Sequence, residues 1–240
     1  MYIIFGGSSE IACEISKNMS LETQVIHITR KVTNGLKQIF SAYENITLTE
    51  LNLSDTFKSV EFVKKILLTE NLEGIVFAHR YRESEPNALD QFSVEVNTPF
   101  EIIQLISEFD SQNMISIVLF TSPAARYVLK DQNFMYHASK ASINALIKFS
   151  ALKLAKSNLR INGVSPSSFV LKNRNRKFYQ DNPELLSKIE NFIPISKICT
   201  PKNIVDVVNF LLSEKALALN GAIIEMDGGY LGQEPSFLIR

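Results

Sequence analysis

A chain of 240 residues, 45% hydrophobic and 21% charged, carries enough apolar surface for one large core, which excludes a disordered polypeptide and suits one α/β domain rather than two. Its 25 Lys and Arg balance 25 Asp and Glu, so no net field gathers nucleic acid or an anionic membrane surface. The apolar runs are strand-sized, with no signal peptide or spanning helix, and Cys13 and Cys199 belong to no cluster of metal-ligand spacing; a soluble cytoplasmic protein with reduced thiols and no metal is expected.

In chain order, strands are predicted at residues 2–5 (YIIF), 24–29 (QVIHIT), 46–53 (ITLTELNL), 74–79 (GIVFAH), 115–121 (ISIVLFT), 160–165 (RINGVS) and 222–226 (AIIEM). Helical spacing recurs between them. Ile11, Ile15 and Met19 mark one apolar face, and Val60, Val63, Ile66 and Leu67 a second. Residues 99–109 and the long stretch 135–157 follow, and Ile204, Val207, Val208, Leu211 and Leu212 close the series. This alternation predicts a single-domain, Rossmann-like, doubly wound sheet of about seven parallel strands with helices on both faces. Only residues 170–200 break the rhythm, as a polar excursion containing the basic run KNRNRK at 172–177.

The first strand runs into FGGSSEIACE, residues 5–14. Gly6 and Gly7 permit close backbone approach, Ser8 and Ser9 offer hydroxyls, and a helix start presents N–H groups to an anion. A Ser-capped helix after a glycine turn explains the same residues, with Glu10 favourable to the helix dipole, so both readings stand at this point.

Further on, Tyr136 and Lys140 are four residues apart and share one face of a helix. Here the chain resembles the short-chain dehydrogenase/reductase family, whose signature is Y-x-x-x-K with an upstream Ser. FGGSSEIA resembles its T-G-x-x-x-G-I-G loop, with Phe5, Glu10 and Ala12 at the Thr, second Gly and third Gly. Asn97 falls at the place of the family's active-site Asn. RINGVSPSS resembles R-V-N-x-V-x-P-G, with Ser167 for Gly, and GAIIEMDGGY resembles the closing G-x-x-x-x-V-D-G-G. The order and spacing cover nearly the whole chain. FAHR (77–80) stands for N-N-A-G, Asn52 for an adenine-side Asp, and Leu171 for a Thr at the nicotinamide end.

The resemblance implies a carbonyl reductase, most like the 3-oxoacyl-thioester reductases. Tyr136 would act as acid, Lys140 would favour its phenolate, Ser122 would hold the substrate oxygen and Asn97 would order a water. Thr121 is a substitute for Ser122, which lies one residue further from the Tyr than is usual, and both hydroxyls also suit strand-end caps. His137 reads as a wall or helix-surface residue rather than a base. Gly6, Gly7, Ser8, Ser9, Ile11, Arg30, Asn52, Ala78, Tyr136, Lys140 and Pro166 would contact the cofactor, NADP(H) rather than NAD(H) because Arg30 and Lys31 end the second strand with no acid nearby in sequence. Residues 170–200 would form a lid whose Lys172, Arg174, Arg176 and Lys177 suit either a phosphate-bearing substrate, such as a carrier-bound acyl chain or a nucleotide-linked sugar, or a merely solvated lid face. A homodimer or homotetramer through the helices bearing Asn97 and Tyr136 is expected. The lost glycines and altered N-N-A-G leave open a non-catalytic binding or partner subunit.

Overall fold

The computed structural model describes residues 1–83, 87–154, 158–234 and 236. Its seven strands are β1 (Tyr2–Phe5), β2 (Val25–Thr29), β3 (Ile46–Glu50), β4 (Gly74–Phe77), β5 (Ile115–Phe120), β6 (Leu159–Pro166) and β7 (Ile223–Met226). They form one parallel sheet in the order β3-β2-β1-β4-β5-β6-β7. All seven expected strands are present. Three end earlier than expected, β5 by one residue, and β3 and β4 because the chain turns away: Asn52 caps a turn by accepting from Ser54 N–H, and His79 leaves the ladder to bond the Val94 carbonyl.

Strand side chains alternate between two cores, which is what a sheet covered on both faces requires. Ile3, Phe5, Ile75, Phe77, Ile117 and Leu119 pack under α3 (Thr56–Thr69), α5 (Thr98–Glu108) and α6 (Phe134–Lys153). Ile4, Val76, Val118, Phe120 and Val164 face the other way, against α1 (Glu10–Met19) and α9 (Pro201–Leu212). The helix expected over 135–157 runs from Phe134 to Lys153, and its last predicted residues, 155–157, lie outside the described ones.

The short α2 (Asn34–Phe40) was not anticipated, since only Leu36 and Phe40 turn inward, onto the buried Cys13. Burial pushes the Cys13 thiol up to about 11, so it stays protonated at neutral pH. The polar stretch after β6 is not a bare loop. It folds as α7 (Asn173–Asp181) and α8 (Pro183–Phe192), held by a small core of Ile189, Ile193 and Tyr230. Between β4 and α5, α4 (Ala88–Phe92) continues into a π-helical turn at Ser93–Asn97, a distortion of the kind that clusters at functional sites.

The loops after β1 and β4, neighbours in the sheet whose connections diverge, open a crevice at the strand C-termini. Gly6 sets its floor. A Cβ there would lie 2.0 Å from the Ala12 Cβ, so the missing side chain of Gly6 makes room for the methyl that Ala12 adds. Gly6→Ala is expected to lower stability by about 1–3 kcal/mol through this overlap. Thermal melts should show the loss reversed in the Gly6→Ala/Ala12→Gly double variant.

Candidate active site

The crevice is a cleft of about 690 Å³ with Gly6, Gly7, Ser8 and Ser9 on one side. Gly7 adopts a positive φ of 54°, and the N–H groups of both glycines bond the Ile28 carbonyl. Buried His27 on β2 fixes the loop from behind: its Nε2 is 2.7 Å from the Gly7 carbonyl and its Nδ1 2.8 Å from Ser16 Oγ. Burial lowers the His27 pKa, keeping the ring neutral, so Nε2–H donates to Gly7 and Nδ1 accepts from Ser16. Ser9 stands at the N-cap of α1, yet its hydroxyl makes no capping bond. Glu10, the first residue of α1, reaches across the cleft, and its carboxylate accepts the Asn173 N–H at 2.9 and 3.1 Å, joining the glycine loop to the start of α7.

At the β2 end of the cleft, Arg30 pairs with Glu83, an acid 53 residues away in the chain. No acid near Arg30 in sequence announces this partner. Asn52 and Ala78 also line the cleft, as do Lys31, Arg80, Arg82, Lys172 and Arg174. Six cations thus face three acids, Glu10, Glu83 and Asp90. Burial first, then the neighbouring Arg80 and Arg174, depress the Arg82 pKa, the mark of cations crowded at one mouth. A close-approach glycine turn, a helix start and surplus positive charge fit a dinucleotide with its phosphates.

Beyond Arg80 lies the tyrosine. Asn133, three residues before the tyrosine, caps α6 by accepting the Tyr136 N–H at 2.8 Å, and the helix it starts brings Lys140 onto the face of Tyr136. The Arg80 guanidinium sits 4.1 Å from the Tyr136 ring centroid and Lys140 Nζ 5.6 Å from it. Lys140 is buried and ion-paired with Glu95 Oε2 at 3.1 Å. Glu95 also accepts from Tyr81 N–H and Ser139 Oγ, each at 3.0 Å.

A family model described as enoyl-(acyl carrier protein) reductase matches residues 71–231. The chain belongs to the short-chain dehydrogenase/reductase family. It is 28% identical to an L-xylulose reductase of Caenorhabditis elegans over 240 residues, covering 95% of this chain and 94% of that one. To the 3-oxoacyl-[acyl-carrier-protein] reductase MabA of Mycobacterium tuberculosis it is 22% identical, over 95% and 91%. Among solved structures, ElxO with NADP bound superposes with a TM-score of 0.81 at 19% identity over 97% of this chain and 98% of that one. A short-chain dehydrogenase family protein of Francisella tularensis does so at 0.70 and 24%, with the same coverage. The relatives establish an NAD(P)-dependent oxidoreductase of this family.

Within this short-chain dehydrogenase/reductase the residues singled out from sequence fall into two groups. Gly6, Gly7, Ser8, Ser9, Arg30, Asn52 and Ala78 line the cleft; Ile11, Tyr136, Lys140 and Pro166 do not. Ile11 is instead core, packed with Ile4 and Ile15, and Pro166 ends β6 opposite Met226. Arg80, which both lines the cleft and stacks on Tyr136, stands between the cleft and the tyrosine. Ser122 Oγ accepts from Ala124 N–H at 3.2 Å, as a cap at the end of β5, and keeps its own proton to donate. Thr121 is engaged with Asn144 at 2.5 Å. Asn97 ends the π-helical turn, and its side chain bonds no other described residue. His137 accepts the Leu129 N–H at Nε2, at 2.9 Å, while its Nδ1 faces the Asn133 carbonyl at 2.7 Å. Glu95, Arg80, Glu83 and His27 were missed. No helix among the described residues is long and apolar enough to cross a membrane, and these residues hold no cluster of three or more metal-ligating side chains.

Proposed function

We propose that the enzyme reduces a carbonyl to an alcohol, using NADP(H) in preference to NAD(H) and Tyr136 as proton donor. The observation that carries this is Tyr136 flanked by two cations at the end of a phosphate-suited cleft. When bound, the nicotinamide cofactor supplies the hydride. The chain's own groups bind and orient. Gly6, Gly7, Ser8 and Ser9 receive the diphosphate, and Arg30 the 2′-phosphate. Ser122 Oγ–H holds the substrate carbonyl oxygen, Tyr136 Oη gives it a proton, and Asn97 orders a water near Lys140.

Cofactor choice rests on Arg30, and Glu83 competes for it. Arg30→Asp is expected to shift preference towards NADH. Glu83→Gln should tighten NADPH binding a few-fold and leave NADH unchanged, since an exposed pair is worth up to about 1 kcal/mol. Fluorescence titration with both cofactors checks this, and an Arg30→Asp variant that still prefers NADPH would misplace the pocket.

The substrate class we favour is a 3-oxoacyl thioester, with α7 and α8 as lid and Lys172, Arg174, Arg176 and Lys177 meeting its phosphate; MabA supports it by name. The L-xylulose reductase relative favours a sugar, free or nucleotide-linked, as second reading. A panel of acyl thioesters, sugars and simple ketones, followed by NADPH oxidation, decides between them. No reduction, together with no NADPH binding at millimolar concentration, would overturn the assignment. Phe149 and Leu152, exposed on α6, are the residues that a homodimer or homotetramer would cover.

A further inference from the structure

Helix α7 buries none of its residues. Its side chain that joins a core is half-buried Tyr179, which packs on the small core of α8 rather than on the sheet. The base of the segment is fixed, because Val170 belongs to the core under α9 and the Leu171 N–H donates to the Cys199 carbonyl at 2.8 Å. Beyond that base, among the described residues, α7 has one hydrogen-bonding partner outside residues 168–200. This is Glu10, whose carboxylate oxygens accept the Asn173 N–H at 2.9 and 3.1 Å. An element with so little buried surface lies at the low end of local stability, so this strap sets where α7 stands.

Glu10 is an unexpected residue for that work. It stands where the family has a glycine, lines the cleft with Gly6 and Gly7, and brings a negative charge to the place where the diphosphate is received. Lys172 and Arg174, the neighbours of Asn173 in sequence, line the same cleft. Burial first, then Arg174 and Arg82, depress the Lys172 pKa and Glu10 opposes them, so the carboxylate is within electrostatic reach of that ammonium. A carboxylate and a phosphate seek the same partners, a backbone N–H at a helix start and cationic side chains.

We propose that Glu10 is an intramolecular competitor of the cofactor diphosphate: it holds α7 to the glycine loop through the Asn173 N–H, and the diphosphate takes over that N–H, with Lys172 and Arg174, when the dinucleotide binds. This rests on the reading that the cleft receives NADP(H). Only non-covalent partners are exchanged. Glu10 thus lowers cofactor affinity and the Asn173 N–H raises it, although the two share one bond here.

Two substitutions break the strap from opposite ends. Glu10→Ala removes the carboxylate and its charge. Asn173→Pro removes the N–H and leaves the charge, and the position accepts proline: Asn173 is the first residue of α7, and Lys172 before it is extended, at φ −95° and ψ 159°. Arg174, Arg176 and Lys177 are exposed trypsin sites within α7 and report its release. Limited trypsinolysis without cofactor should cut there about three- to tenfold faster in either variant than in the wild type, with cleavage elsewhere unchanged, and no faster again in the double variant. Fluorescence titration then separates the two ends. Glu10→Ala and Glu10→Gln should bind NADPH about three- to tenfold more tightly than the wild type, and Asn173→Pro more weakly. Saturating NADPH should return Glu10→Ala to wild-type trypsin resistance. A strap that only held the lid would move both affinities in one direction. Affinities that move together, or that do not change in Glu10→Ala, overturn the competition, and cleavage at the wild-type rate in both variants overturns the strap. A wild type that binds no NADPH at millimolar concentration would instead overturn the reading of the cleft, so the two failures are distinguishable.

Discussion

Tyr136→Phe is expected to lower turnover by about 100- to 10,000-fold while NADPH binding stays within about twofold of wild type. Such a loss corresponds to roughly 3–5 kcal/mol of transition-state stabilisation. The substitution removes one hydroxyl from a half-buried ring. The Asn133 cap bonds the residue's backbone N–H, and Arg80 stacks on the ring face, so neither contact needs the oxygen. The fold and the cleft should therefore survive. Because the hydroxyl acts only as the proton moves, kcat should fall with little change in KM for the carbonyl substrate. Single-turnover NADPH oxidation, run beside cofactor titration, separates the two effects. Unchanged turnover would remove Tyr136 from the chemistry.

Local pattern carried the architecture. Ile3 and Ile4 enter opposite cores because strand side chains alternate, and Ile11, Ile15 and Met19 share a face because helices turn every 3.6 residues. Those periods are written in consecutive residues, and so all seven strands were legible. So was the Tyr136 and Lys140 pair, a spacing of four on one helix. Short α2 was not, because two inward residues are too few to register as a period.

What stayed hidden depends on distant chain segments meeting at one rim. Glu83 finds Arg30 across 53 residues, Glu95 finds Lys140 across 45, and Glu10 finds the Asn173 N–H across 163. The sheet order makes these encounters: the loops after β1, β2, β4 and β6 end on the same side, since every strand is parallel. Each acid, read alone, looks like a solvated surface charge. The substitution of Arg80 for a family glycine read as a loss in sequence, whereas in space it places a cation on the tyrosine.

The buried pair makes the largest stability prediction. Glu95→Ala leaves the Lys140 ammonium, 4% exposed, without its carboxylate, and removes the acceptor for Ser139 and Tyr81 N–H. Breaking such a pair costs about 3–5 kcal/mol, a fall in Tm of roughly 6–20 °C for a chain of this size. Glu95→Met/Lys140→Met should recover most of it, because apolar side chains of similar volume suit a site closed to water. The pH dependence has a defined sign. The folded Glu95 pKa lies below the unfolded value of about 4.3, so the unfolded chain binds more protons as pH falls through that range. The pair's stabilisation is thus complete above the unfolded pKa and drains away as pH falls towards the folded one. Denaturant unfolding at neutral and acid pH should show a steeper acid loss in the wild type than in the double Met variant. Equal slopes, or a Glu95→Ala protein as stable as wild type, would mean that the ion pair contributes nothing to holding the π-helical turn against α6.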